Sequence, residues 1–207
     1  MAETVETFDG KPVFYAANSR ELSRAIKNYR GEAEAPYVVR WSGKTRKVRE
    51  EAFCSDKNLG VILLPDSVTT IGKAAFAYCR NLTRVVIPGS VTSIERRAFD
   101  GCSSLPEIDI PESVVRIEEH TFGDCVSLER IGLPSSLRTI EKYAFGGCTS
   151  LSDVFIPESL SYLEEGAFHK CDNLRHIKVS PDNMRFDSRD DCNAVVKTAN
   201  NCLVCGC

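Results

Sequence analysis

Apolar positions recur along this chain every 23 residues. Phenylalanines stand at Phe53, Phe76, Phe99, Phe122, Phe145 and Phe168, with no insertion between them. Counting from each, leucine fills Leu59, Leu82, Leu105, Leu128, Leu151 and Leu174, and a β-branched residue fills Ile62, Val85, Ile108, Ile131, Val154 and Ile177. Leu64, Ile87, Ile110, Leu133, Ile156 and Val179 follow two residues later. Pro65, Pro88, Pro111, Pro134 and Pro157 then close the first five units, each trailed after one residue by a serine: Ser67, Ser90, Ser113, Ser136 and Ser159. A further apolar pair, Val68 and Ile71 in the first unit and Leu160 and Leu163 in the fifth, completes the pattern.

A unit this short buries too few apolar side chains to offset its own ordering, so the units must stack and cover one another. The expected fold is a repeat solenoid of about six coils over residues 48–180, with two ends that need caps. Within a unit, the stretch from Leu82 carries apolar residues at its fourth and sixth positions and stops at Pro88, as a strand does. One parallel strand per coil, with short turns, gives a mainly β architecture. Residues 1–47 read as a strand-helix-strand cap. VFYAAN is the first strand, and Asn18 with Glu21 caps a helix whose face carries Leu22, Ala25, Ile26 and Tyr29 before a stop at Gly31. YVVRW, residues 37–41, resumes the phase of the repeat, with Val39 and Trp41 in the Ile62 and Leu64 columns.

The unit LTRVVIPGSVTSIERRAFDGCSS closely resembles the 23-residue BspA-like leucine-rich repeat, type 5 among the leucine-rich repeats. That pattern runs leucine-isoleucine strand, Pro-x-Ser, Val, Ile, Ala-Phe and a cysteine. The resemblance covers nearly two thirds of the chain. The tail FDSRDDCNAVVKTANNCLVCGC is similar to the CNA-type segment that follows such repeats in bacterial members, usually ahead of another block of repeats. Residues 181–207 are thus expected to be a terminal cap or the truncated start of a further block. The resemblance implies protein binding at a bacterial cell surface, in some members to host matrix proteins.

Outward positions on the strands lie between the inward columns. One outward column reads Val61, Arg84, Glu107, Arg130, Asp153, His176, and the other Leu63, Val86, Asp109, Gly132, Phe155, Lys178. Alternating charge makes the first a self-neutralising ladder. In the second, Phe155 sits beside the open spot at Gly132 with Arg130 and Asp153 near, an aromatic flanked by charges as in an interface hot spot. The candidate binding residues are therefore Arg84, Val86, Glu107, Asp109, Arg130, Asp153, Phe155, His176 and Lys178.

Other columns read as structure. Equivalent thiols of stacked coils, Cys79, Cys102, Cys125, Cys148 and Cys171, point the same way rather than at each other, so they are expected to pack as small hydrophobes. Cys54 falls outside that column, whose place Asp56 takes. Asn58, Asn81, Ser104, Ser127, Ser150 and Asn173, like the serines after each proline, suit turns by bonding nearby backbone. Glu95, Glu118, Glu141 and Glu164 stack as like charges. Compensation by the neighbouring Arg96, Arg97 and Lys142 is expected rather than calcium, because a flat ladder lacks the converging oxygens calcium needs. Cys202, Cys205 and Cys207, with Cys192 upstream, form the weak metal candidate of the chain. Zinc, a disulfide and free thiols all remain open there, though Cys192 and Cys207 already match the family tail, where no metal role is implied.

Charge narrows the function. Against 29 acidic side chains stand 26 basic ones, a formal −3, so the basic excess that nucleic-acid binding demands is missing. Arg40, Lys44, Arg46, Lys47 and Arg49 form only a small basic cluster at one edge. No apolar run approaches a membrane span, and MAETVETFDGK lacks the features of an export signal, so neither membrane insertion nor a location is indicated. The histidines are His120, His169 and His176, all within repeats, and no phosphate loop, serine elbow or metal-hydrolase helix is present, so neither catalysis nor a cofactor is expected. The expected function is a non-catalytic scaffold binding another protein through the outward strand face, with host matrix or serum proteins as the partners the resemblance suggests. A structural spacer between larger repeat arrays and a thiol- or zinc-linked tail are the alternatives.

Overall fold

Each coil as far as Leu163 carries two short parallel strands, where one was expected. In the computed structural model, which describes residues 7–8, 11–16, 36–41, 44–188, 194–199 and 202–206, the first strand of each coil lies on one face of the solenoid. These are β3 (Tyr37–Trp41), β5 (Leu59–Leu63), β7 (Arg84–Val86), β9 (Glu107–Asp109), β11 (Arg130–Gly132), β13 (Asp153–Ile156) and β15 (His176–Val179). A second ladder is built from β4 (Lys47–Val48), β6 (Thr70–Ile71), β8 (Ser93–Ile94), β10 (Arg116–Ile117), β12 (Thr139–Ile140) and β14 (Tyr162–Leu163). Each of these is two residues long, too short to show the alternation by which a strand is read from sequence. The 23-residue period becomes the register directly, as in Val61 opposite Arg84 and Thr139 opposite Tyr162.

The first ladder is interrupted. β9 and β11 form one two-stranded sheet and β13 and β15 another, separate from the strands that end at β7. Pro106 accounts for the first break. The residue just before β7, β11 and β15 donates its N–H to the coil behind: Thr83 to the Gly60 carbonyl (2.8 Å), Glu129 to that of Pro106 (2.9 Å) and Arg175 to that of Ser152 (2.9 Å). Proline has no N–H to give. At the second break, between β11 and β13, the strand carries Gly132, and glycine weakens a strand. The second ladder also lapses, between β8 and β10.

Inside, the phenylalanine column becomes a stack of nearly parallel rings. Successive centroids from Phe53 to Phe168 are 5.2, 5.3, 5.6, 5.5 and 5.3 Å apart. Trp41 meets Phe53 edge-on at 6.4 Å and closes the stack at its first end. The cysteines pack beneath it, each thiol donating to the carbonyl of the phenylalanine 26 residues earlier: Cys79 to Phe53 at 3.0 Å, Cys102 to Phe76 at 3.2 Å and likewise to Cys171. In the first coil Asp56 replaces the thiol, and its buried carboxylate accepts from the Tyr37 hydroxyl and from the Asn58 N–H.

The polar columns also bond backward, to the preceding coil rather than within their own turn. Ser90 donates to the Val68 carbonyl (2.7 Å), Ser159 to that of Leu137 (2.6 Å) and Asn81 to that of Lys57 (2.7 Å). The glutamate column is compensated chiefly by backbone. Glu95, Glu118, Glu141 and Glu164 each accept from the N–H 22 residues before, on Lys73, Arg96, Glu119 and Lys142, at 2.8 to 3.1 Å. Side-chain partners are added at Glu95, by Lys47, and at Glu141, by Arg116. Next to each of those amides the chain turns left-handed, at Ala74, Arg97, His120 and Tyr143, and again four residues on, at Tyr78, Gly101, Asp124 and Gly147. The carboxylates thus satisfy donors that this turn leaves without a ladder partner.

At the first end β2 (Lys11–Ala16) runs parallel to β3, and β1 (Thr7–Phe8) pairs antiparallel with β2. Val61 and Leu63, expected to face solvent, are covered instead: Val13, Val38 and Val61 form a small buried cluster on the outward side, with Leu63 packed against it. The helix expected over residues 18–31 lies outside the described residues. At the other end β16 (Phe186–Asp187), β17 (Ala194–Lys197) and β18 (Cys202–Gly206) form an antiparallel sheet that adds Phe186 and Val195 to the core. Asn183 joins it to the last coil. Its amide donates to the carbonyls of Pro157 and Leu160 and its oxygen accepts from the N–H groups of Arg185 and Phe186.

Candidate functional site

Two hollows indent the strand face, one at each interruption of the ladder. The larger, about 580 Å³, lies between β11 and β13 and is lined by Arg130, Ile131, Asp153, Val154, Phe155, His176 and Lys178. The smaller, about 290 Å³, lies between β7 and β9, and its wall includes Arg84, Val86, Pro106, Glu107 and Asp109. The residues picked out as outward-facing divide between the two. Arg130, Asp153, Phe155, His176 and Lys178 come together in the first, and Arg84, Val86, Glu107 and Asp109 in the second. What the column reading passed over is Pro106, a visible departure from period that opens the second hollow.

The outward charges pair within each two-stranded sheet and not across the gap. Arg130 Nη2 lies 3.2 Å from Glu107 Oε2, and His176 Nδ1 lies 3.0 Å from Asp153 Oδ1. The Ser152 hydroxyl first, and then His176, hold the Asp153 carboxyl below the usual aspartate range, so it is charged at neutral pH. Between these pairs Phe155 stands 56% exposed, a large apolar ring that the protein itself leaves uncovered. Gly132 adds no side chain to the hollow, and a Cβ there would meet nothing nearer than Asp109 Oδ1 at 3.9 Å.

The buried thiols do not add a second site. Burial pushes the Cys102, Cys125 and Cys148 thiols well above their ordinary value, which keeps them protonated and unsuited to metal or nucleophilic work. Among the described residues no group of three or more His, Cys, Asp or Glu side chains is placed to hold a metal. Of the tail candidates, Cys202 and Cys205 lie on β18, while Cys192 and Cys207 lie outside the described residues. Among the described residues no helix is long and apolar enough to cross a membrane.

Stacked 23-residue coils with a parallel strand face define a leucine-rich-repeat solenoid. The chain belongs to the BspA type leucine-rich repeat region family, whose pattern matches six times over residues 69–190. Its fold is similar to that of a leucine-rich cell surface protein from Faecalibacterium prausnitzii, at 29% identity and a TM-score of 0.61, over 77% of this chain and 48% of that one. Leucine-rich repeat proteins from Eubacterium ventriosum (33% identity, TM-score 0.55, 59% of this chain and 33% of that one) and Bacteroides ovatus (29%, 0.52, 66% and 41%) are also similar. The chain spans about half or less of the length of each. No curated protein matches it.

Proposed function

We propose that this chain is a non-catalytic module that binds another protein through its strand face, in the manner of an adhesin, with host matrix or serum proteins as the first partners to try. The observation that carries the reading is Phe155, exposed in the larger hollow beside the Arg130–Glu107 ion pair and the His176–Asp153 contact, whose polar groups engage one another and leave the aromatic as the uncovered element. A well-packed aromatic ringed by polar groups is how protein interfaces concentrate their binding energy. The similar cell surface protein from Faecalibacterium prausnitzii supports a surface setting, and the unbroken interior supports rigidity in presenting the face.

The test is capture from matrix and serum proteins by the intact chain and by a variant with Arg84, Arg130, Phe155 and His176 changed to alanine, after circular dichroism has shown both folded. Retention by the first and loss by the variant is the expected result. Equal capture by both moves the site to the caps or to the opposite face, and capture by neither leaves the repeats as a spacer.

A further inference from the structure

We propose that the hollow at Gly132 seats a short extended segment of a partner protein in which an apolar side chain is followed two residues later by a carboxylate. The apolar group rests on Ile131 and Phe155, and the carboxylate faces Lys178. This rests on the strand face being the binding surface and specifies what that surface reads.

The apolar half follows from Ile131. In its inward column Ile62, Val85, Ile108, Val154 and Ile177 are all buried, whereas Ile131 is only partly so. The core comes to the surface here because the ladder lapses beside it and Gly132 brings no side chain to cover it. The backbone at Gly132 does not require glycine, since its φ is outside the left-handed region and the space about it is open. Its effect is to leave room for a side chain from elsewhere.

Polarity sets the other half. Arg130 is engaged by Glu107 and Asp153 by His176, while Lys178, exposed on β15, acts on Asp153 only through its charge, after Ser152 and His176, and belongs to neither contact pair. On the β9 side, Asp109 of the smaller hollow lies next to Gly132, its Oδ1 3.9 Å from where a Cβ would stand. A segment crossing the strands therefore meets acid at one end and base at the other. Coils repeat at the spacing of the ring stack, 5.2 to 5.6 Å, and an extended chain places its next side chain on the same face roughly 6.5 to 7 Å away. One such step carries the segment from the gap toward the flexible Lys178 ammonium. A long polyanion fits less well, because it would lie over Glu107 and Asp109 within the next two coils and be repelled.

The test is selection of a phage-displayed random heptapeptide library on the intact chain and on three variants, Gly132→Val, Lys178→Glu and Phe155→Ala, each checked for folding by circular dichroism. Valine suits a strand, and its Cβ would meet nothing nearer than Asp109 Oδ1 at 3.9 Å. We expect peptides selected on the unaltered chain to carry Asp or Glu two positions after Leu, Ile or Phe. They should lose affinity by about tenfold or more on Gly132→Val, the scale of a hot-spot contact, and Lys178→Glu should select Lys or Arg where the acid stood. Peptides that need Phe155 but show no acid, or keep their acid on Lys178→Glu, overturn the inference and leave the strand-face reading standing. Peptides indifferent to Phe155 and Gly132 alike overturn both. Retention of heparin by the unaltered chain and its loss in Lys178→Glu, with no peptide enriched, assigns the hollow to a polyanion and overturns the protein-segment assignment.

Discussion

Removing one ring from the middle of the stack measures how the coils hold together. Phe122 is fully buried and lies nearly parallel to Phe99 (5.6 Å, 3°) and to Phe145 (5.5 Å, 6°). Phe122→Ala forfeits the burial of the side chain, about 1.5 to 3 kcal/mol, and two ring contacts of about 0.5 to 1.5 kcal/mol each. Together these bracket the ~3 to 5 kcal/mol typical of a buried phenylalanine cut to alanine. Phe168 has one ring neighbour in the stack, Phe145 at 5.3 Å, so Phe168→Ala should cost about 1 kcal/mol less. In a stacked array, stability is a sum of coil terms and nearest-neighbour interface terms, so a defect in the middle weakens two interfaces and can split the cooperative unit. Trp41, the only tryptophan of the chain, sits edge-on to Phe53 at the first end of the stack and reports locally, while far-UV circular dichroism reports the whole. Urea unfolding followed by both should give coincident transitions in the unaltered protein and separated ones in Phe122→Ala. A loss below about 1 kcal/mol would refute the ring stack as the principal tie between coils, and so would an equal loss in Phe168→Ala.

Three further outcomes are expected. Gly101 has φ of 69°, and a Cβ there would come within 2.5 Å of the Tyr78 ring, so Gly101→Ala should cost about 1 to 2 kcal/mol in backbone strain alone, with the displaced ring in addition; thermal melting at or above the parent Tm would contradict this. Burial, outweighing the neighbouring His120 and Arg97, raises the Asp100 carboxyl above its ordinary 3.8. The folded state then holds that proton more tightly than the unfolded one, so its contribution to stability falls as pH rises from about 3.8 through the raised value. Asp100→Asn should raise Tm at neutral pH and flatten this part of a pH series of urea midpoints, and an unchanged slope would rule the group out. Glu118→Ala, by stranding the Arg96 N–H now 2.8 Å from its carboxylate, should cost about 1 kcal/mol, with Glu118→Gln recovering part of it in the same melts. Equal losses would assign the effect to charge rather than to the backbone acceptor.

The interior of this fold was legible because a column in the sequence is a column in space once the register is n to n+23. Phenylalanine, leucine and cysteine positions could be assigned to the core from spacing alone. Period says which side chains stack, but not which backbone groups of the coil behind lack partners. The glutamates therefore read as a charge problem, although Glu118 serves an amide 22 residues earlier, and the serines read as local turn formers although Ser90 reaches the Val68 carbonyl. The second ladder of two-residue strands was not legible because two residues carry no alternation. Val61 was placed on the correct side of its strand but not under the cover that buries it, since nothing in a repeat describes what an end cap will lie against.

The strand face obeys a different logic, in which departures from the repeat matter more than agreement with it. Several turn glycines are notches filled by the coil before: Tyr78 covers Gly101, Asp124 covers Gly147 and Tyr143 covers Gly166. Each pairs a missing side chain with one that reaches over from the coil before, so close packing is kept even where the column varies. On the strands the corresponding neighbour of Gly132 is Asp109, and it does not fill the space. Meanwhile the aromatic of the next coil, Phe155, remains exposed rather than folding over the glycine. A notch and a bulky residue side by side, uncombined, are what a surface shaped for an outside side chain requires, whereas the turn glycines Gly101, Gly147 and Gly166 are covered by the coil before. That contrast makes filling the notch, by Gly132→Val, the substitution best able to separate recognition from stability: it should leave the fold intact and remove the seat.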